Sequence, residues 1–483
     1  MIAMTLAELA AATGGTLDAV PDPGRQVTGP VVVDSREVEP GGVFVARAGE
    51  ERDGHDYAAT AVEAGAVAVL ASRPVGVSAV LVDDTERAFG ALARAVVDRL
   101  KAGRGDDATQ GLAVVGVTGS SGKTTTKDLL AQVLEPRGPL VAPPGSYNTE
   151  VGVPLTVLRA DDTTRTLVVE MGARGVGHID YLCGIAAPDI GVVLNVGSAH
   201  LGEFGDRETI ARAKSELVTA LPAQGTAVLN ADDQVVRRMA DATLARVLMV
   251  GESVHADIRA EDVRLGPSGC ASFTLVTPEG SAETTLRLVG EHQVSNALAV
   301  AGVAHALGTP ASEIAARLGR AQARSRWRME VTERPDGVTV VNDAYNANPE
   351  SMRAALKTLA TMAPRADAEA GRTWAVVGEM LELGDSSAAE HDAIGRLAVR
   401  LNVSRLVAVG KGARAVHQGA SLEGSWDGES VAVPDADAAY ELLERELRAG
   451  DVVLLKSSRD AGLRHLGDRL ATGRGGADAG GAS

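Results

Sequence analysis

The stretch "AVVGVTGSSGKTTTKDLL", residues 113–130, decides the fold. It opens with a run of apolar and β-branched residues and passes through a glycine-rich turn. It ends in residues that suit a helix. A strand that feeds a glycine turn and then a helix N-terminus aims several backbone N–H groups at one point, which is a place for a phosphate. The common phosphate loop reads G-x-x-x-x-G-K-[ST]. Counted back from Gly122-Lys123-Thr124, its first glycine should stand at 117, where the chain has Val117. Glycines stand at 116 and 119 instead, so the loop is a shortened form with Val117 still in the strand. Gly119, Ser120, Ser121, Gly122, Thr124 and Thr125 would wrap the phosphates. Lys123 would reach the β/γ-phosphates and the Thr124 hydroxyl a Mg²⁺. The bland reading is a turn before an ordinary helix.

Outward from this loop, apolar runs alternate with helical stretches: "TLVVEMG" (166–172), "DIGVVLNVG" (189–197) and "GTAVLNADD" (225–233). That alternation predicts an α/β chain whose mostly parallel sheet is covered on both faces. A β-rich insert is expected near 255–290. A second α/β sheet, of dinucleotide-fold type, is expected from "GVTVVNDAY" (337–345), "TWAVVGEM" (373–380), "RLVAVG" (405–410) and "DVVLLKSS" (451–458). The polar segment "DRLKAGRGDDATQG" (98–111) reads as a linker after a smaller first domain. The expected division is residues 1–105, 111–326 and 327–470. The Gly-rich tail 471–483 is expected to be disordered.

At 483 residues the chain is too long for one core. Its net charge of −17 argues against a general nucleic-acid or anionic-membrane binder. Cys183 and Cys270 are isolated and read as buried thiols of a reducing cytoplasm. "MIAMTLAELAAATGG" lacks a basic start and carries Glu8, so it does not read as a signal peptide. No run is long and apolar enough to suggest a membrane span.

In an open α/β sheet, ligands sit beyond the C-terminal strand ends. Glu170 closes "TLVVE" and His200 follows "DIGVVLNVGSAH", so both should reach the rim that carries the loop. Alone, each has an ordinary alternative: a strand-end carboxylate and a satisfied loop histidine. Lys214 lies between Ile210 and Leu217 on the apolar face of a predicted helix, where snorkelling is the usual explanation. Polar Asp343, Tyr345, Asn346 and Asn348 crowd the end of another strand, as ligand contacts or as turn residues.

Together these segments resemble the Mur ligases of peptidoglycan synthesis. The similarity runs from "VVVDSREVEPGGVFVARAG" (31–49) to "LLKSSRDAGL" (454–463). It includes "SYNTEVGVPLTVL" (146–158), "VVEMGARGVGHI" (168–179) and "NVGSAHLGEFGDRETIARAKSEL" (195–217). "NDAYNANPESM" (342–352) and "VVGEMLELGDSSAAEH" (376–391) point to the branch that joins D-Ala-D-Ala to UDP-MurNAc-tripeptide. "DNPR", the mark of the diaminopimelate-adding relatives, does not occur.

The resemblance implies a UDP-binding first domain, an ATPase centre and a Rossmann-like lid. It implies ATP-driven formation of an acyl phosphate, two Mg²⁺ ions and a cytoplasmic monomer. Lys123, Glu170, His200 and Lys214 would be catalytic. Thr124, Glu170, His200 and Lys214 would hold metal, Lys214 as a carbamate. Asn296 would contact adenine, Arg328 the γ-phosphate from the lid and Asp343 the ribose. Ser35, Arg36, Asn148, Thr149, Asn346, Lys456 and Arg459 would bind the substrates. The family commonly has His-Asn where this chain has His292-Gln293, which leaves a contact at Gln293 open. His391 fits the motif, with a packing role equally open. A sister ligase would share the ATP site. A switching P-loop NTPase would leave Glu170, His200 and "NDAYNANP" unexplained.

Overall fold

A computed structural model of the chain describes residues 1–49, 52–103, 111–197, 201–362, 371–424 and 426–472. His200, residues 104–110 of the linker at 98–111 and the tail from 473 lie outside the described residues.

Three main sheets organise these residues. The first has five short strands in the order 16–18, 79–81, 68–71, 43–45, 31–32, all parallel except at the 16–18 edge. Helix Thr85–Ala102 leads out of it, with Asp84 accepting from the N–H groups of Glu86 and Arg87 at its start. One face of this helix is apolar, with Phe89, Leu92, Val96 and Leu100 fully or nearly buried. It packs on helices Gly152–Val157 and His178–Ala186 of the next unit. A single apolar core therefore runs from Ile2 through Phe89 and Val97 to Val153, Leu182 and Leu217.

The central sheet has nine strands, ordered 280–289, 270–277, 258–265, 246–251, 226–230, 190–193, 113–118, 166–170, 140–141. Strand Ala113–Thr118 is third from the 140–141 edge, between 190–193 and 166–170, with every residue buried. This explains why it reads as an unbroken apolar run. Pairing is parallel out to 258–265 and antiparallel for the last two strands. The β-rich stretch expected near 255–290 is thus an extension of the central sheet, not a separate insert.

The third sheet has six strands, ordered 330–333, 339–342, 452–456, 373–377, 405–409, 429–433. Only the edge strand Glu330–Glu333 is antiparallel. The strands before it and the helix Pro349–Thr361 after 339–342 aim the "NDAYNANP" turn at the rim of the central sheet.

Candidate active site

The rim builds around the loop. Gly122 has φ +83°, and a Cβ there would overlap Asn296 Oδ1, so only glycine fits this turn. Asn195, at the end of the neighbouring strand, braces the loop by accepting from Ser121 N at 3.0 Å. The Gly197 N–H donates to Ser120 Oγ at 2.9 Å. Helix Lys123–Val133 starts at once behind the loop, with no side-chain cap. Its free N–H groups therefore face the cleft.

Val117, at the missing first glycine, is a buried strand residue. Lys123 Nζ donates to Gly119 O at 2.6 Å, and burial pushes its pKa down while Glu170 pulls it back up. Thr124 Oγ1 donates to Glu170 Oε2 at 3.1 Å and lies 3.0 Å from Ser146 Oγ. Asn148 Nδ2 holds the other carboxylate oxygen, Glu170 Oε1, at 2.9 Å. Glu170 is 1% exposed, so a buried anion stands beside the loop with its oxygens held in place. Thr149 Oγ1 accepts from Gly152 N nearby.

Lys214 sits on helix Arg207–Thr219 and is buried with its head, so it does not snorkel. It makes no hydrogen bond or ion pair among the described residues. Burial, and secondarily the charge of Lys123, push its pKa down to about 7.

The third sheet closes the cleft from above. Arg328 Nη2 donates to Thr124 Oγ1 at 3.2 Å and to Ser146 Oγ at 3.1 Å, and its Cζ lies 4.2 Å over the Tyr345 ring. Trp327 and Met329 on either side both have positive φ, +60° and +51°, a strained backbone for residues other than glycine. Asp343 Oδ1 accepts from Met329 N at 3.0 Å. Asn348 Nδ2 donates to Ser120 O at 3.3 Å, across the cleft onto the loop itself. Asn346 and Arg459 line the cleft and are exposed.

Lys456 also lines the cleft. Its buried Nζ donates to Asp343 Oδ2 at 2.6 Å, to Asp343 O and to Asn346 O, which shapes the turn. His391 is also settled: buried, it accepts from Met380 N at 2.9 Å and bonds Ser387 O at 2.7 Å, which is a packing role. Gln293 turns inward. Its Oε1 accepts from Asn296 Nδ2, and its Nε2 bonds His292 Nε2. Ser35 and Arg36 form a short turn of the first unit, away from this cleft.

Gly119, Ser120, Ser121, Gly122, Lys123, Thr124, Thr125, Glu170, Lys214, Asn296, Arg328 and Asp343 all line one cavity of about 520 Å³. Sequence reading missed Ser146, which links Thr124 to Arg328. It also missed Asn195, the brace of the loop. Both open quoted motifs, at 146–158 and 195–217, but a lone Ser or Asn carries no chemical pattern.

Family models cover most of the chain: "Mur ligase family, catalytic domain" at residues 30–113, "Mur ligase middle domain" at 117–304 and "Mur ligase, glutamate ligase domain" at 327–459. A Mycobacterium tuberculosis protein named UDP-N-acetylmuramoyl-tripeptide–D-alanyl-D-alanine ligase is 50% identical over 97% of this chain and 98% of its own. The chain belongs to the Mur ligase family. Among solved structures, MurF from Acinetobacter baumannii superposes with a TM-score of 0.86 at 32% identity, over 97% of this chain and 99% of that one. The Mur ligase MurF from Thermotoga maritima, solved with ADP, gives 0.78 at 31% identity over 92% and 97%.

Proposed function

We propose that this chain joins D-Ala-D-Ala to UDP-MurNAc-tripeptide at the expense of ATP. It is an ATP-dependent amide-forming ligase of peptidoglycan synthesis. Its relatives carry that name along their full length. One observation in the site carries the reading. A phosphate loop, a buried carboxylate and a cationic arm from another sheet converge where ATP and an acid could be brought together.

The chemistry follows from charge. The substrate carboxylate attacks the γ-phosphorus of ATP, ADP leaves, and an acyl phosphate forms. The amine of D-Ala-D-Ala then adds to the acyl carbon, and the tetrahedral adduct expels phosphate and leaves an amide. Two anions must meet in the first step, so catalysis is mostly neutralisation and positioning. Lys123 and Arg328 supply the cations for the β/γ-phosphates. Asn296 and Asp343 place the adenosine, and Asn148, Thr149, Asn346 and Arg459 face the peptide-bearing part. Ser35 and Arg36 are assigned to the UDP end.

Thr124 and Glu170 offer hard oxygen donors, already adjacent, which suit Mg²⁺ completed by phosphate and water oxygens. No group of three or more His, Cys, Asp or Glu that could hold a metal occurs among the described residues. Mg²⁺ there would withdraw charge from the phosphate oxygens. His200 and Lys214 are assigned to a second ion. A lysine whose pKa is near 7 holds much of its amine free at neutral pH, the form that adds CO₂. A carbamate on Lys214 would turn an unpaired buried cation beside Lys123 into an anionic oxygen donor.

One chain supplies every group named, in keeping with a monomer. ATP and UDP-linked precursors place the work in the cytoplasm, and its product feeds wall growth, cell shape and division. No described helix is long and apolar enough to cross a membrane. The deciding experiment measures phosphate release with UDP-MurNAc-tripeptide, with and without D-Ala-D-Ala. Release that needs both is expected. Release without either would establish a switching NTPase, and release with another amine a sister ligase.

A further inference from the structure

The connector between the central sheet and the third sheet does not hang free. It is fastened along one face of the loop helix. The Gln132 amide makes a reciprocal pair with the Gln322 backbone: Nε2 donates to Gln322 O at 2.8 Å, and Oε1 accepts from Gln322 N at 3.1 Å. One turn earlier, Asp128 Oδ2 accepts from Ser325 N at 2.8 Å. Lys127 Nζ binds Asp128 Oδ1 at 2.5 Å and also donates to Pro143 O and Ser325 Oγ. Lys127 and Asp128 are 2% and 6% exposed, a buried ion pair whose remaining bonds all go to the connector and to the loop that carries Ser146.

Beyond Ser325 the attachments change sides. Arg326 Nη2 and Trp327 Nε1 bind Asp468 of the last helix, and Trp327 O accepts from Tyr345 N. The change of partner falls at the peptide between Ser325 and Arg326.

We propose that the Lys127–Asp128–Gln132 face is a tether that fixes the root of the arm carrying Arg328, and so sets where Arg328 meets the nucleotide side of the cleft. The chain's own reach enforces this. Three residues span at most roughly 10 Å, so Arg328 cannot travel far from a fixed Ser325. Asp343 accepts from Met329 N and Tyr345 N donates to Trp327 O, so the far end of the arm and the third sheet move together. Arg328 therefore swings with the third sheet on a short arm whose root is fixed at Ser325. Lys127, Asp128 and Gln132 are positioning residues that act through Arg328. The inference rests on the proposed role of Arg328 at the γ-phosphate.

The test is a double-mutant cycle on the full chain, read as affinity for a non-hydrolysable ATP analogue by calorimetry. Asp128→Asn breaks a buried pair and can unfold the protein. Gln132→Ala carries the test instead, because its pairing is at the surface. Alone, Gln132→Ala is expected to weaken the analogue about fivefold with little change in melting temperature. In an Arg328→Ala background the same change is expected to weaken it less than twofold, because the arm it positions is gone. Gln132→Glu, which keeps only the acceptor, should fall between. An equal loss in both backgrounds, or no loss from Gln132→Ala alone, overturns the tether. Unchanged affinity in Arg328→Ala alone would instead refute the role of Arg328, which keeps the two failures apart.

Discussion

Thr124 Oγ1 stands 3.1 Å from Glu170 Oε2, although Thr124 lies in the first turn of a helix, Glu170 ends a strand, and the two are 46 positions apart. The parallel register of strands 113–118 and 166–170 sets this distance, because it pairs Val117 with Glu170 directly. Glu170→Gln keeps the shape and loses the charge. It is expected to lower kcat by about a hundredfold or more and to weaken the response to added Mg²⁺, measured as phosphate release across a Mg²⁺ titration.

Lys214 gives a pH signature. Unfolded, its amine holds a proton up to its ordinary value near 10.5; folded, it gives the proton up at about 7. Between those limits the unfolded chain binds one more proton, so this residue makes stability rise with pH from about 7 upward. In bicarbonate-free buffer, Lys214→Met should lose that rise, and the melting temperatures of the two proteins should converge toward high pH. With CO₂ present, Lys214→Ala should be inactive and partly rescued by short carboxylic acids. Full activity in the alanine variant would remove the carbamate from the mechanism.

Asn348 has two duties that can be separated. Its Oδ1 caps helix Pro349–Thr361 by accepting from Ser351 N, and its Nδ2 reaches Ser120 O. Asn348→Ala should cost about 1 kcal/mol of stability and lower kcat. Asn348→Ser keeps a capping oxygen but cannot bridge to the loop. It should retain the melting temperature while kcat falls.

The Lys456–Asp343 pair is buried, with side chains 3% and 13% exposed. Lys456→Met leaves Asp343 uncompensated and should destabilise the third sheet's unit by about 3 kcal/mol. It should also raise KM for ATP through a displaced Asp343. If denaturant melts show no loss, Lys456 is not the support of that turn.

The limits of the sequence show in these residues. The loop, Glu170 and the "NDAYNANP" turn were legible because strand-end position and residue chemistry coincide there. Lys456 was not, because a lysine after a strand reads the same whether it faces a ligand or a neighbouring aspartate. His391 fits the motif and a packing role equally well in sequence, and its bonds to Met380 N and Ser387 O favour packing. The strands 258–289 alternate as a half-covered sheet should, but alternation cannot say which sheet they join. The connector's fastening depends on backbone groups of Gln322 and Ser325, which leave no trace in side-chain pattern.

Helix Thr85–Ala102 belongs by sequence to the first unit and by packing to the second. Arg94 Nη1 binds Gly184 O, and Lys101 Nζ binds Ala187 O and Asp189 Oδ1 across the seam. The third sheet has its own cores around Ile394 and Leu406, and around Trp374 and Leu455, the first of which touches the central sheet at its edge, through Val289 and Cys270. Heat should therefore divide this chain in two rather than three: residues up to about the connector melting as one block, and the remainder as another. A fragment cut at the linker would expose Phe89, Leu92 and Val96 to water and aggregate, so whoever trims this enzyme for crystals should cut after Ser325 and nowhere before.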